Sequence, residues 1–217
     1  MRRAVPAAVA VLILCACSGT VPERDAPPER GFAAILIGGR MILPSGESRD
    51  GVAPIDFETK NGGADAETYE LPIPAADVAF YRVEPGVYGL APTRNFFGTS
   101  RSLMTVRIAD REYTTAFPRE LMRPSFDAKP RKVVVVGVLE TTVLPALPGQ
   151  KPQVRVRLDD SPTARRELVQ SMIRTMMDPN QSNTARDNAV AWSHALQEQL
   201  QAVLAEETRR PLYESAP

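Results

Sequence analysis

Cysteine is almost missing from this chain of 217 residues. There are two, Cys15 and Cys17, one residue apart at the end of an apolar run. A pair that close is poorly placed for a disulfide, so a disulfide-stapled scaffold is excluded. Histidine occurs once, at His194. One imidazole leaves zinc or copper without a donor set, so no metal and no cofactor are expected. A nucleophilic site built on His194 would also need a nucleophile and an orienting group beside it. Aromatic residues make up 6% of the chain, which leaves few platforms for stacking bases or sugars. Charge of one sign is missing too: 26 basic residues face 26 acidic ones. No global basic field is present to attract nucleic acid. The apolar stretch at residues 4–14 is shorter than the roughly 20 residues that span a bilayer.

What that N-terminus does contain is a positive start (Arg2, Arg3), a short apolar core and small residues at its end. These are the parts of a secretory signal peptide. Its last four residues, Leu14-Cys15-Ala16-Cys17, resemble the lipobox of bacterial lipoproteins: Leu, a small residue, Ala or Gly, then Cys. Cys15 stands where Ser, Ala or Thr is more usual. The resemblance implies cleavage after residue 16, removal of Cys15 with the signal peptide, and lipidation of Cys17. A cut before Cys15 would place Leu14 at the cleavage position, a poor fit. One acyl chain holds a protein only marginally on a membrane, and stable anchoring takes two or more. Ser18 follows the lipidated position. An Asp there tends to retain Gram-negative lipoproteins in the inner membrane, so the resemblance implies the periplasmic face of the outer membrane.

The mature chain would hold 201 residues, enough to bury a core without staples. Loss of Arg2 and Arg3 leaves 24 basic against 26 acidic residues, a net charge of −2. Residues 17–30 begin with the lipidated Cys and continue as SGTVPERDAPPER. That composition predicts an extended, flexible tether.

From residue 31 the pattern is that of strands. FAAILIG (32–38) reads as a buried strand, with MIL (41–43) continuing it after a Gly38-Gly39 turn. Residues 44–66 read as loops around one short strand at 55–59. Further strands are expected at 69–73, 77–83 and 87–92. The link Glu84-Pro85-Gly86-Val87 carries Pro then Gly at the centre of a type II turn. Residues 103–109 and 112–117 form a hairpin about Asp110-Arg111. KVVVVGVLETTV (132–143) has no alternation, which predicts a sheet centre buried on both faces, and Gly137 marks a bulge or close packing point. QVRVRLDD (153–160) alternates, with Val154, Val156 and Leu158 inward and Arg155 and Arg157 outward.

The period then changes. Asp160 or Ser161 caps a helix with Pro162 in its first turn. Its stripe is Leu168, Val169, Met172, Ile173, Met176 and Met177. Asp178-Pro179-Asn180 stops it. Ser182 or Thr184 caps a second helix, and Thr184 with Asp187 resembles a capping box. The second stripe is Ala189, Trp192, Leu196, Leu200, Val203 and Leu204. The expected architecture is mainly β with C-terminal α: an antiparallel β-sandwich over 31–159, two amphipathic helices over 160–208, and a frayed tail at 209–217. VEPGVYGL followed by KVVVVGVLE resembles small envelope lipoproteins with transthyretin-like or carboxypeptidase-regulatory-like sandwiches, many of unknown function. Val136 stands where Tyr is frequent in them, and Arg131 where Gly is common.

Few residues carry candidate chemistry. Gly98-Thr99-Ser100-Arg101-Ser102 lacks the final Gly of a nucleophile elbow and reads as a loop. Asp159-Asp160 sits at a helix start, where carboxylates accept backbone N–H bonds, and is better explained so than as a cation site. Arg155, Arg157, Arg165 and Arg166 form a possible contact for an anionic ligand; the plainer reading is a solvated face balanced by Asp159, Asp160 and Glu167. Met172, Met176 and Met177 form a possible partner face, since thioethers suit adaptable grooves, or are simply core. The function expected is a non-enzymatic binding, assembly or structural role, with the membrane as partner through the lipid anchor and an envelope protein as a second partner. The alternatives are an envelope hydrolase using two facing carboxyl groups on cell-wall material and a periplasmic small-ligand carrier with an apolar cavity.

Overall fold

The valine run expected at a sheet centre lies in β10 (Val133–Leu144), flanked on one side by β2 (Ala33–Ile42) and on the other by β11 (Gln153–Asp159). The computed structural model describes residues 22–43, 51–59, 68–74, 77–92, 103–108, 111–122, 124–145, 153–180 and 182–209. One sheet, sheet A, has the order β1-β5-β2-β10-β11, where β1 is Glu23–Arg24 and β5 is Val78–Val83. The second, sheet B, runs β8-β7-β3-β6-β9, with β4 paired on β3. Its strands are β3 (Gly51–Thr59), β4 (Thr68–Pro74), β6 (Gly86–Ala91), β7 (Leu103–Ile108), β8 (Arg111–Ala116) and β9 (Ser125–Ala128). Two helices follow, α1 (Pro162–Met177) and α2 (Asn183–Arg209). The chain is thus mainly β, with two sheets and a C-terminal helical pair.

The described residues form two cores. Between the sheets lie Ile35, Ile37, Ile73, Tyr81, Tyr88, Met104, Val106 and Leu139 with their neighbours. Between sheet A and the helices lie Ala34, Leu36, Phe80, Val133, Val135, Leu168, Val169, Met172, Trp192 and Leu196. Alternate residues of β2 and β10 therefore enter opposite cores, which is why those strands read as unbroken apolar runs. Tyr88, from the Pro-Gly-x-Tyr stretch, closes the link from β5 in sheet A to β6 in sheet B. Its hydroxyl donates to the Glu84 carbonyl at 2.6 Å, and its ring stacks on Phe126.

The two strands expected to flank Asp110-Arg111 pair as β7 and β8, with Ile108 opposite Arg111. At Gly137 the register between β10 and β2 shifts, and φ is +135°. A Cβ there would lie 2.6 Å from the Asp159 carbonyl oxygen, so the glycine serves both the bulge and a close approach. Ser161 caps α1 by accepting from the Ala164 N–H at 3.3 Å.

Five expectations are revised. The Glu84-Pro85-Gly86-Val87 link is not a type II turn, because Gly86 already opens β6 and lacks the positive φ that turn requires. Gly38-Gly39 is not a turn, because β2 continues through both residues. It is held extended by β5 on one side and by β10, which runs parallel to it, on the other. The β2–β10 pair is thus a parallel seam within a sandwich that is otherwise antiparallel along the described ladders. Gly38 instead makes room for α1, since a Cβ on it would meet Leu168 Cδ1 at 2.7 Å. The short strand at 55–59 begins earlier, at Gly51, because β4 pairs it from Val52 onward. Thr184 lies inside α2, and Ser182 occupies the position before its first residue.

The fifth revision concerns the tether. Residues 22–30 are part of the domain. Glu23 and Arg24 pair with Arg82 and Tyr81 of β5. Asp25 N–H donates to the Phe80 carbonyl at 2.8 Å. Ala26 is buried, and its carbonyl accepts the Trp192 indole N–H at 2.8 Å. Arg82, itself buried, ion-pairs with both Glu23 and Glu29 and lies 5.0 Å from the Phe32 ring centre. Composition alone reads as linker, but a buried arginine and an indole N–H both needed partners, and this segment supplies them.

Candidate functional site

The helices cover only part of the outer face of sheet A. Where they end, an open cleft of about 580 Å³ runs between α1 and the strands. Gly38, Gly39, Val78, Val138 and Leu168 give it an apolar floor, and Arg40, Asp77, Glu167 and Arg174 bring both signs of charge to its walls.

Strand register positions the polar wall. Glu140 on β10 lies opposite Arg40 on β2 and opposite Arg157 on β11. Its carboxylate, 4% exposed, accepts from Arg40 at 3.0 Å and from the Arg157 Nε–H. Arg40 also reaches Glu167 of α1 at 3.3 Å. A buried carboxylate between two guanidiniums is fixed in place, so Arg40 is pre-organised on the cleft wall. Arg174 is different. Its only described contact is a 3.3 Å bond from Nε to the Gln170 carbonyl in its own helix. Asp77 is exposed at the other side of the cleft. A ligand carrying a carboxylate, an ammonium and a short apolar part would find a partner for each here.

The four arginines singled out from the sequence are not one site. Arg157 is engaged by Glu140, Arg165 by Glu206 and Arg166 by Glu207 at 2.7 Å. Two of the four thus clamp α1 to α2, and Arg155 stays exposed on β11. The balancing acids are Glu140, Glu206 and Glu207 rather than the nearer Asp160, because strand and helix pairing bring distant residues opposite one another. The methionines also separate. Met172 is in the core under the helices, while Met177 is 78% exposed at the end of α1. Met176 lies in α1, and its side chain is outside the description. His194 is on the open face of α2, 3.4 Å from Glu198. Cys17 and the Gly98–Ser102 loop lie outside the described residues.

Three carboxyls among the described residues are shifted. The bond from Lys132, with its charge and that of His194 nearby, holds Glu198 below the ordinary glutamate value. Burial by itself raises Asp159, but bonds from the Ser161 hydroxyl and N–H, with Arg157 and Arg40 nearby, outweigh it and hold the carboxyl below the ordinary aspartate value. Burial, with Asp77 adding to it, raises Asp25 against the lowering by Arg24. Among the described residues no three His, Cys, Asp or Glu side chains group as for a metal, and no helix is long and apolar enough to cross a membrane. No family model, curated protein or solved structure matches the chain.

Sequence reasoning missed the cleft. Its one available signal was Gly38-Gly39-Arg40, which reads locally as a turn.

Proposed function

We propose that the chain is a lipid-anchored envelope protein with a non-enzymatic binding or assembly role, held by acyl chains on Cys17 at the periplasmic face of the outer membrane. The cleft beside α1 is its working surface, and an envelope protein is its partner. The observation that supports this most directly is the cleft's make-up: Arg40 on its wall is fixed from behind by Glu140, and Arg174 is left without an acidic partner among the described residues. A carboxylate hydrolase would draw on Asp77 and Glu167 in the same cleft. Glu167 is engaged by Arg40, which favours binding over acid–base work.

Two variants test the reading. Cys17→Ala is expected to abolish incorporation of an alkynyl fatty acid and move the protein out of the detergent phase. An acylated mature form, lighter than wild type only by the sulfur lost in the substitution, would sink the anchor. Arg174→Glu leaves the fold intact and is expected to remove the dominant product of cross-linking in intact cells. A cross-linking pattern identical to wild type would remove the cleft from the proposal.

A further inference from the structure

The domain joins its N-terminal segment at one end of sheet A, and that end has its own character. β1 pairs with the last residues of β5, Glu23 opposite Arg82, and runs antiparallel to it. Traced backward, the chain therefore leaves the fold beyond Val83, past the end where β2 begins. Two turns meet there. Arg131 N–H donates to the Phe32 carbonyl at 2.7 Å, and Ala34 N–H to the Lys132 carbonyl at 2.9 Å. These turns expose Arg30, Lys129, Arg131 and Lys132. Lys129 and Lys132 face Asp127 and Glu198, whereas Arg30 and Arg131 have no ion-pair partner among the described residues.

From this geometry we infer that the turn end of sheet A, carrying Arg30 and Arg131, rests against the phosphates of the lipid headgroups. The inference rests on the lipid anchor proposed above. Pro22, the first described residue, follows Cys17 by only five positions. Fully extended, that stretch reaches about 17 Å, so the domain cannot be lifted clear of the surface as a tether running to residue 30 would allow. β1 is pinned by its ladder, by Asp25 and by Arg82, so it cannot peel away at no cost to lengthen the link. A link that short lets the turn end settle on the headgroups, and each guanidinium that comes within a Debye length adds attraction to an anionic leaflet. The cleft lies at the other end of the same strands. Arg40 is six residues along β2 from Ala34, the residue opposite Arg82, or about 20 Å away. The working surface thus points away from the lipid.

Beyond the two N-terminal cysteines the sequence has no thiol, so one introduced cysteine gives one label. Full-length protein, purified from membranes and reconstituted in phosphatidylglycerol-containing vesicles, would carry a fluorophore at Lys129→Cys or at Gln153→Cys, the latter at the far end of β11. Headgroup spin-labelled lipid is expected to quench the first several-fold more than the second. Equal or reversed quenching overturns the orientation. Arg30→Glu with Arg131→Glu is expected to lower quenching at position 129 while the protein still floats with the vesicles; an unchanged value overturns the role of the two guanidiniums. Intact mass separates the two failures. A chain without acyl groups defeats the anchor itself, and an acylated chain with equal quenching defeats only the orientation.

Discussion

The outer face of sheet A has two halves built from the same strands. In one, Ala34, Leu36, Phe80, Val133 and Val135 lie under the helices and are dry. In the other, Arg40, Glu140 and Arg157 stand beyond the helix pair and form a charged ladder. β2 and β10 cross both halves without a break. What differs is the cover: α1 and α2 exclude water from one half and leave the other open. Pairing and pleat are common to both, so a sheet face acquires its chemistry from what lies on top of it.

The covered half is expected to break first. Trp192 is 1% exposed, packs edge-on against Phe80 at 5.4 Å and donates to Ala26. Trp192→Ala should cost about 3–5 kcal/mol in urea unfolding, by loss of packing and a cavity. Faster amide exchange at Asp25 should accompany it, since the indole also holds the N-terminal segment. Arg155→Ala, exposed on the open half, should stay within about 0.5 kcal/mol in the same assay.

The open half fails in another manner. Arg40→Ala or Arg157→Ala alone leaves Glu140 one guanidinium and should cost about 1 kcal/mol or less, since both arginines are substantially exposed. Together they leave a buried carboxylate unpaired, which costs about 3 kcal/mol or more. A double-mutant cycle should show coupling of about 1 kcal/mol or more, and strict additivity would mean that Glu140 does not depend on this ladder.

The smallest effect lies at the border, where Asp159 meets both the ladder and the start of α1. Its folded pKa is lowered, so its contribution to stability is fully present above the unfolded value and is lost as pH falls through the folded one. Asp159→Asn should therefore reduce stability slightly at neutral pH, by about 0.5 kcal/mol or less given its exposure to solvent. Wild type and variant should converge below about pH 4. A gap that widens in acid would reverse the assigned sign.

Local signals were legible where one strand or one helix decides. The valine run, the Gly137 bulge, the Val154–Val156 alternation and the Ser161 cap all follow from period or from a single residue's backbone preference. Gly38-Gly39 and residues 22–30 misled because each is defined by distant partners. Neighbouring strands hold the first extended, and Trp192 and Arg82 draw the second onto the domain. The arginines show the same limit: close in sequence, three of the four are engaged by Glu140, Glu206 and Glu207, while Arg30 and Arg131, far apart in the chain, come to one end of a sheet.

By itself, the sequence determined the order of β and α segments, which faces are apolar, and the lipobox-like start from which the envelope address is proposed. These depend on composition and on periods of two and 3.6 residues, which are local properties. Only the tertiary structure decided that β2 lies parallel to β10, that helices cover half of one face, and that a cleft opens where they stop. Those outcomes depend on long-range pairing, and no local period encodes which distant segment arrives to cover a given surface.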